Sequence, residues 1–493
     1  MPGRQFAFRH RPILPSKAIC HPKATAGTVV LGIVTAVLLV AGCSSTASKS
    51  STSPASSKSS ASQASSAVPL GADCRNLGTC YAPEPLRVAY GIQPLLDRGI
   101  SGRGVTVVLL ETAAPAPSSS SPGGSDIRKD LAQFDRLFGL PAAQLQVVSS
   151  LAGSNAPDQA GAAEVRDAEI VHAAAPDAAI RVVLAGASVS SQFAALRLGI
   201  TQGAVLLISV SVGERCLTGP EVTALNSALQ AAESRHVTVI NSTGEFGASA
   251  MPCPGATAIA PVKGVDLPAA DPLVLAVGGT SLVANRTTGA RVSETAWNAP
   301  PNSLGAPESL ASGGGFSQQF ARPSYQDGIA GIGSSRGVPD VSADADPTLG
   351  PAIVIAVQNA GLKNAAQPKA AQPKASQKKA SQPKAAQPNP AAVQYLVRPA
   401  GTTAAAAAIW AGLIALADQD AGHDLGLVNP AIYRIGGSSA YGTAFHAITT
   451  GTNTVRFPTK TITGYPAASG WNPVTGWGSP NAQVLIPLLV RYA

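Results

Sequence analysis

Aromatic rings are scarce in this chain, at 4% of its 493 residues. Such sparse Trp and Tyr residues cannot build a platform on which nucleobases stack. Charge is also scarce, at 13%; with 49 Gly and 40 Pro this describes a loop-rich, extracellular type of protein rather than a helical bundle. Cysteine is limited to six residues. None has a histidine at metal-ligand spacing, so zinc is not indicated. The N-terminal apolar run, Val29 to Val40, is short for a stable membrane span, which needs ~20 residues.

What charge there is lies unevenly. The formal balance of +8 depends on Arg4, Arg9, Arg11, Lys17 and Lys23 near the N-terminus, Lys49 and Lys58 after them, and six lysines in 363–393. Without these the body is mildly acidic, and no nucleic-acid partner is expected. The basic start, the apolar run and Val40-Ala41-Gly42-Cys43 resemble a bacterial lipoprotein signal, with Cys43 as the lipidated residue. The competing reading is an uncleaved anchor with an incidental cysteine. Residues 44–72 are Ser-rich and suit a disordered tether. The body, 73–493, is therefore expected outside the cytoplasm, on the outer face of the cell membrane. In that oxidising space Cys74, Cys80, Cys216 and Cys253 are expected to form disulfides. Nearest-neighbour pairing gives Cys74–Cys80 and Cys216–Cys253, among three connectivities.

The body reads as α/β. "GVTVVLLET" (104–112), "AAIRVVLAG", "AVLLISVSVG", "HVTVINSTG" and "PLVLAVGGTSL" are apolar strand candidates. Helical stretches such as "DIRKDLAQFDRLFGLP" and "GPEVTALNSALQAAESR" separate them, which implies a mainly parallel sheet with its sites at the carboxyl ends of the strands. Residues 363–393 interrupt this pattern with an imperfect Ala-Gln-Pro-Lys pentapeptide repeat that has too few apolar residues to order itself. It reads as a disordered insertion, whose evenly spaced lysines suit contact with an anionic cell-envelope polymer.

The ordered motifs "YAPEPLRVAYGI", "GISGRGVTVVLLE", "VHAAAPDAAIRVVLA", "LISVSVGE", "VLAVGGTSL", "SGGGFSQQFARPSYQ", "RGVPDVSADADP" and "GWNPVTGWGSPN" resemble the sedolisin family of serine-carboxyl peptidases. The resemblance runs from about Tyr81 to the C-terminus and implies a subtilisin-like three-layer α/β fold. It also implies a large N-terminal pro-domain, for which no room is expected ahead of Tyr81. Acyl transfer at acid pH needs a hydroxyl nucleophile, a carboxylate base and donors for the oxyanion. The family uses Ser, a Glu backed by an Asp, and a protonated Asp.

Each of these parts departs from the family pattern. Registering Gly-Thr-Ser-x-Ser-x-Pro on Ile409-Trp410-Ala411-Gly412 puts the family's Gly on Thr402, its Thr on Thr403 and its nucleophile on Ala404. A one-residue shift would promote Thr403 as an alternative nucleophile. Registering on His172 puts the family Asp on Asp167 and its Glu on Ala163, with Glu164 the nearest carboxylate. Glu164 and Asp167 share a helical face at i,i+3 and form either an altered dyad or a solvated pair. Glu245, in "STGEFG", takes the oxyanion position with one methylene too many. The calcium expected for the family is doubtful, because its elements fall on Ala447, Ile448 and Asn472, with Asn472 and Ser479 left to hold the loop by hydrogen bonds. His172 and His236 read as core histidines, and Asp340, Asp344 and Asp346 as structure.

Together these losses suggest a pseudopeptidase that keeps a peptide-binding cleft. The alternatives are a divergent acid peptidase using Thr403 with Glu164 and Asp167, and a cell-envelope interaction protein. The expected partners are a peptide or protein ligand, the membrane through the lipid anchor and the envelope polymer, with the body a monomer.

Overall fold

Aliphatic runs without polar alternation form strands when both of their faces are covered. In the computed structural model such runs make one central sheet. Its members are β1 (Thr106–Thr112), β2 (Gln144–Ser149), β3 (Ala179–Ala185), β4 (Val205–Ile208), β5 (Thr238–Ser242), β6 (Leu275–Ala284), the antiparallel β7 (Arg291–Ala296) and β8 (Val341–Asp344). The spatial order is β2-β3-β1-β4-β5-β6, with β7 and the parallel β8 both paired to β6. Val107 stands opposite Ile180 on one side and Val205 on the other. The structure describes residues 79–112, 125–149, 159–160, 162–186, 188–253, 261–358 and 393–493, all within the unit Ser65–Ala493. The signal segment with Cys43, the tether, Cys74 and most of the insertion lie outside the described residues.

Helices cover both faces of the sheet. Alternate side chains of β1 divide between two cores: Val107 and Leu109 join Ile180, Val182 and Leu207 on one face, while Val108 and Leu110 join Val183, Leu206 and Ile208 on the other. On the second face lie α4 (Val189–Gly199) and α5 (Gly219–Glu233), contributing Leu196, Leu225 and Leu229. The first face carries α3 (Ala162–Ala174), α6 (Thr403–Ala421) and α7 (Ala482–Tyr492). Two further helices, α1 (Pro83–Ala89) and α2 (Ile127–Phe138), pack at its edge.

The alanine-rich helix α6 is apolar on every side, and residues Thr403 to Ala417 are all buried. That is the expected state of a helix without a polar face. Small residues let it approach α3 closely: a Cβ on Gly412 would stand 2.5 Å from the Ala174 Cβ. Beside α6, Asp340 at the start of β8 accepts from Arg336 Nη1 and Nη2 at 2.6 and 2.7 Å, and from Ala276 N at 2.8 Å. Both side chains are wholly buried. Asp344 is buried too and accepts from Leu282 N, so these two carboxylates join strands.

The insertion leaves from a hairpin. Strands β9 (Ala352–Gln358) and β10 (Val393–Pro399) are antiparallel, with Gln358 opposite Val393. Cys216 and Cys253 form a disulfide with Cα atoms 5.2 Å apart, and Cys80 is disulfide-bonded as well. One histidine departs from expectation. His172 is a core residue, its Nε2 3.0 Å from Pro141 O and 3.1 Å from Asp135 Oδ1. His236, by contrast, is exposed in a left-handed turn at φ 55°. Its apolar neighbours belong to the strand that follows it. Among the described residues no helix is long and apolar enough to cross a membrane.

Candidate functional site

The residues that the family register singles out converge at the carboxyl ends of β1, β4 and β5 and at the N-terminus of α6. Thr402 caps α6, its hydroxyl accepting from Ala404 N at 3.3 Å. Its backbone has φ 82° and ψ 161°, a region that is essentially glycine-only. This falls where the gap-free register puts the family's glycine, while Gly401 does not have a positive φ. The next residue, Thr403, is fully buried and donates its hydroxyl to Gly244 O at 3.1 Å. Ala404 follows in the first turn of the helix, at 9% exposure. Behind it Ala406 and Ala408 are sealed in the core.

Opposite lies a group of charges that includes Asp167, for which the sequence left open an altered dyad or a solvated pair. For Asp167 the structure removes the solvated alternative. Asp167 is completely buried, as is Glu169, whose carboxylate accepts from Val354 N at 2.8 Å. The reason is that α3 packs against α2 and β9 as well as α6 and has no solvent face at this point. Asp167 Oδ1 receives Arg166 Nε at 2.6 Å, and Oδ2 receives Ser209 Oγ at 2.6 Å. Ser209 also lies 2.8 Å from Glu111 Oε1, at the end of β1. One hydroxyl hydrogen cannot fill both contacts, so Ser209 donates to one of the two carboxyls at a time. Glu164 lies in α3, but its side chain is outside the described residues.

Arg166 is the electrostatic centre of the group. Burial opposes its charge, yet Asp167, Glu111 and Glu245 outweigh burial and hold the guanidinium far above its usual range. Glu245, in the turn after β5, has its carboxyl pushed up by burial, while Arg166 and the Thr402 hydroxyl pull it down. The carboxylates around Arg166 therefore already have a fixed internal cation. Glu111, Ser209 and Arg166 were absent from the sequence-based site. Glu111 and Ser209 come from different strands, and their only signal is position at strand ends. Asp266 also reaches this region: it packs under Gly244, its Oδ1 accepts from Met251 N at 2.8 Å, and burial pushes its carboxyl up to about 7.

The calcium elements do not fit the ion. Asn472 Oδ1 accepts from Val474 N and Thr475 N at 3.1 and 3.0 Å and from Thr475 Oγ1 at 3.2 Å. Its Nδ2 donates to Ala468 O at 2.9 Å. The side-chain oxygen a cation would need is occupied by donors, so Asn472 closes its own loop. Ser479 is turned instead toward Glu294 Oε2, at 2.5 Å. Ile448 is buried and Ala447 exposed, and neither side chain offers oxygen. Among the described residues no cluster of three or more His, Cys, Asp or Glu side chains could hold a metal.

A mainly parallel sheet in this order, covered by helices on both faces and with its polar centre at the strand ends, defines a subtilisin-like α/β protein. The comparisons with known proteins agree. No family model matches the chain. Kumamolisin from Bacillus sp. (strain MN-32) is 29% identical over 435 residues, covering 84% of this chain and 64% of its own length. Tripeptidyl-peptidase 1 from Bos taurus is 26% identical over 391 residues, or 73% of this chain and 58% of that protein. The solved structure of Pseudomonas sedolisin, a serine-carboxyl proteinase complexed with two molecules of pseudo-iodotyrostatin, shares the fold. It has a TM-score of 0.63 and 22% identity, over 83% of this chain and 97% of that one. These likenesses support membership of the sedolisin family, and the chain spans less than two-thirds of the length of these curated relatives.

Proposed function

We propose that this chain is a sedolisin-family peptidase homologue that has lost hydrolysis and keeps a peptide-binding cleft, on a lipid-anchored extracytoplasmic body. The observation that carries the reading is Ala404 at the start of α6, one residue after Thr403 and two after the glycine-like backbone of Thr402. A methyl group has no lone pair with which to attack a carbonyl. Thr403 does not replace it, because its hydroxyl is buried and already donated to Gly244 O. The family's base position falls on Ala163, which has no carboxylate, and Asp167, in the supporting position, is engaged by Arg166 and Ser209. The retained cleft is supported by an apolar hollow beside the end of β4, lined by Leu110, Phe193, Leu196, Val210 and Leu225.

The relatives are peptidases by name; for this chain the reading predicts none of that activity. Purified protein incubated with an unfolded protein substrate from pH 3 to 7 is expected to release no peptides. Release that disappears in Thr403→Ala or Glu164→Gln would overturn the reading. Restoring the nucleophile and the base together, as Ala404→Ser with Ala163→Glu, is expected to produce peptide release if the cleft still holds substrate. The location rests on the N-terminal signal pattern ending at Cys43. Cys43→Ala is expected to abolish metabolic labelling by a fatty-acid probe, and unchanged labelling would remove the lipid anchor from the proposal.

A further inference from the structure

We propose that the pocket between α1 and the turn at 285–290 binds a small oxyanion, carboxylate or phosphate, between the guanidinium groups of Arg87 and Arg286. The pocket has a volume of about 340 Å³, and its lining includes Glu84, Arg87, Gln93, Arg286 and Thr287. Arg87 is only 8% exposed. Its Nε donates to Ala173 O, while its Nη2 is buried without a hydrogen-bond partner. Arg286 repeats the situation: its Nε is buried and unpartnered, with the guanidinium 5.8 Å from the centre of the Tyr81 ring. A buried guanidinium N–H with no acceptor carries a desolvation cost that an incoming oxyanion would relieve. Planar guanidinium forks match carboxylate and phosphate oxygens better than they match halide ions.

The two arginines are held by rigid parts of the fold. Asn285 Oδ1 accepts from Thr287 N and Thr288 N, both at 2.9 Å, and fixes the turn that carries Arg286. Gly289 seats that turn on α1, where a Cβ would stand 2.5 Å from Pro85 O and from the Val88 Cβ. Burial pulls the Arg87 pKa down to about 10, with Glu84 opposing the shift. Glu84 is exposed and forms no ion pair with Arg87 among the described residues, so it offsets the positive charge there only in part. Gln93 Oε1 is also unpartnered, which favours an oxyanion whose molecule carries a donor beside it. The pocket is separate from the Arg166 group. Ala173 lies six residues beyond Asp167 on α3, or ~9 Å along the axis at ~1.5 Å per residue.

Calorimetric titration of the full chain in detergent with sodium phosphate, and separately with sodium acetate, tests the proposal, with sodium chloride at matched ionic strength as the reference. Saturable binding of phosphate, acetate or both is expected, weakened about tenfold or more in Arg286→Gln and in Arg87→Gln, as fits the loss of a charge-assisted hydrogen bond. Arg322→Gln, which removes a guanidinium paired elsewhere with Asp327, should bind as the parent does. Binding of phosphate alone would assign a phosphate group, and binding of both would extend the site to carboxylates. Heats indistinguishable from chloride, or affinity unchanged in Arg286→Gln with folding verified by circular dichroism, would overturn it. Arg286 lies in a surface turn, so that variant remains informative if Arg87→Gln fails to fold.

Discussion

Thr402 holds a conformation that an L side chain adopts at a cost of order 1–3 kcal/mol, and it does so at the N-terminus of a helix that is buried from Thr403 to Asp418. The surrounding contacts over-determine it: Thr402 N donates to Ala345 O at 2.8 Å, and the next residue is tied to Gly244. Thr402→Gly is therefore expected to stabilise the fold by ~1 kcal/mol, since glycine removes the strain and costs only a few tenths as a helix cap. A denaturant midpoint that falls, or stays where it was, would contradict this. The sequence made Ala404 and Thr402 legible because Trp410 and Gly412 fix the register of a continuous helix. It did not reveal Arg166, since an arginine beside an aspartate in a helix looks solvated until the elements that bury it are known. The partners of Asp167 were hidden for a related reason, as Ser209 lies 42 residues away in sequence.

The pairing of α3 with α6 shows how helices set the position of a site. Gly412 lets the two backbones approach, and its Cβ space is already taken by Ala174. Gly412→Ala is expected to destabilise the protein by ~1–3 kcal/mol, the usual range for overpacking. Ala174→Gly in the same chain should recover part of that loss. A double variant no better than the single one would show that the contact is not what the alanine disturbs. Strands β1, β3, β4, β5 and β6 were legible because burial on both faces leaves apolar runs. The edge strand β2 was not, because Gln144 and Gln146 alternate with Leu145 and Val147. The hairpin β9–β10 was missed because the lysine-rich insertion separates its strands.

For the molecule as a whole, buried carboxyls set the direction of pH dependence. Burial pushes both Asp266 and Asp418 up to about 7, against about 3.9 in an unfolded chain. Between these values the unfolded chain releases protons that the folded one keeps, so stability is fullest below about pH 4 and falls as pH rises through 7. Asp177 acts the other way: Ser101 and then Arg103 hold its carboxyl down against burial, and its share is lost under acid conditions. Thermal midpoints are expected to peak in mild acid, and Asp266→Asn with Asp418→Asn should flatten the slope between pH 4 and 7; a slope unchanged in that double variant would refute the assignment. The hairpin sets a further property at this scale. Gln358 and Val393 face each other across it, so a segment of any length departs and returns at one doorway. Closing such a segment costs only ~0.6 kcal/mol more for each doubling of its length. The body is thus insulated from the length of what it carries there, and the hairpin tip is a natural port for grafting a reporter or an epitope.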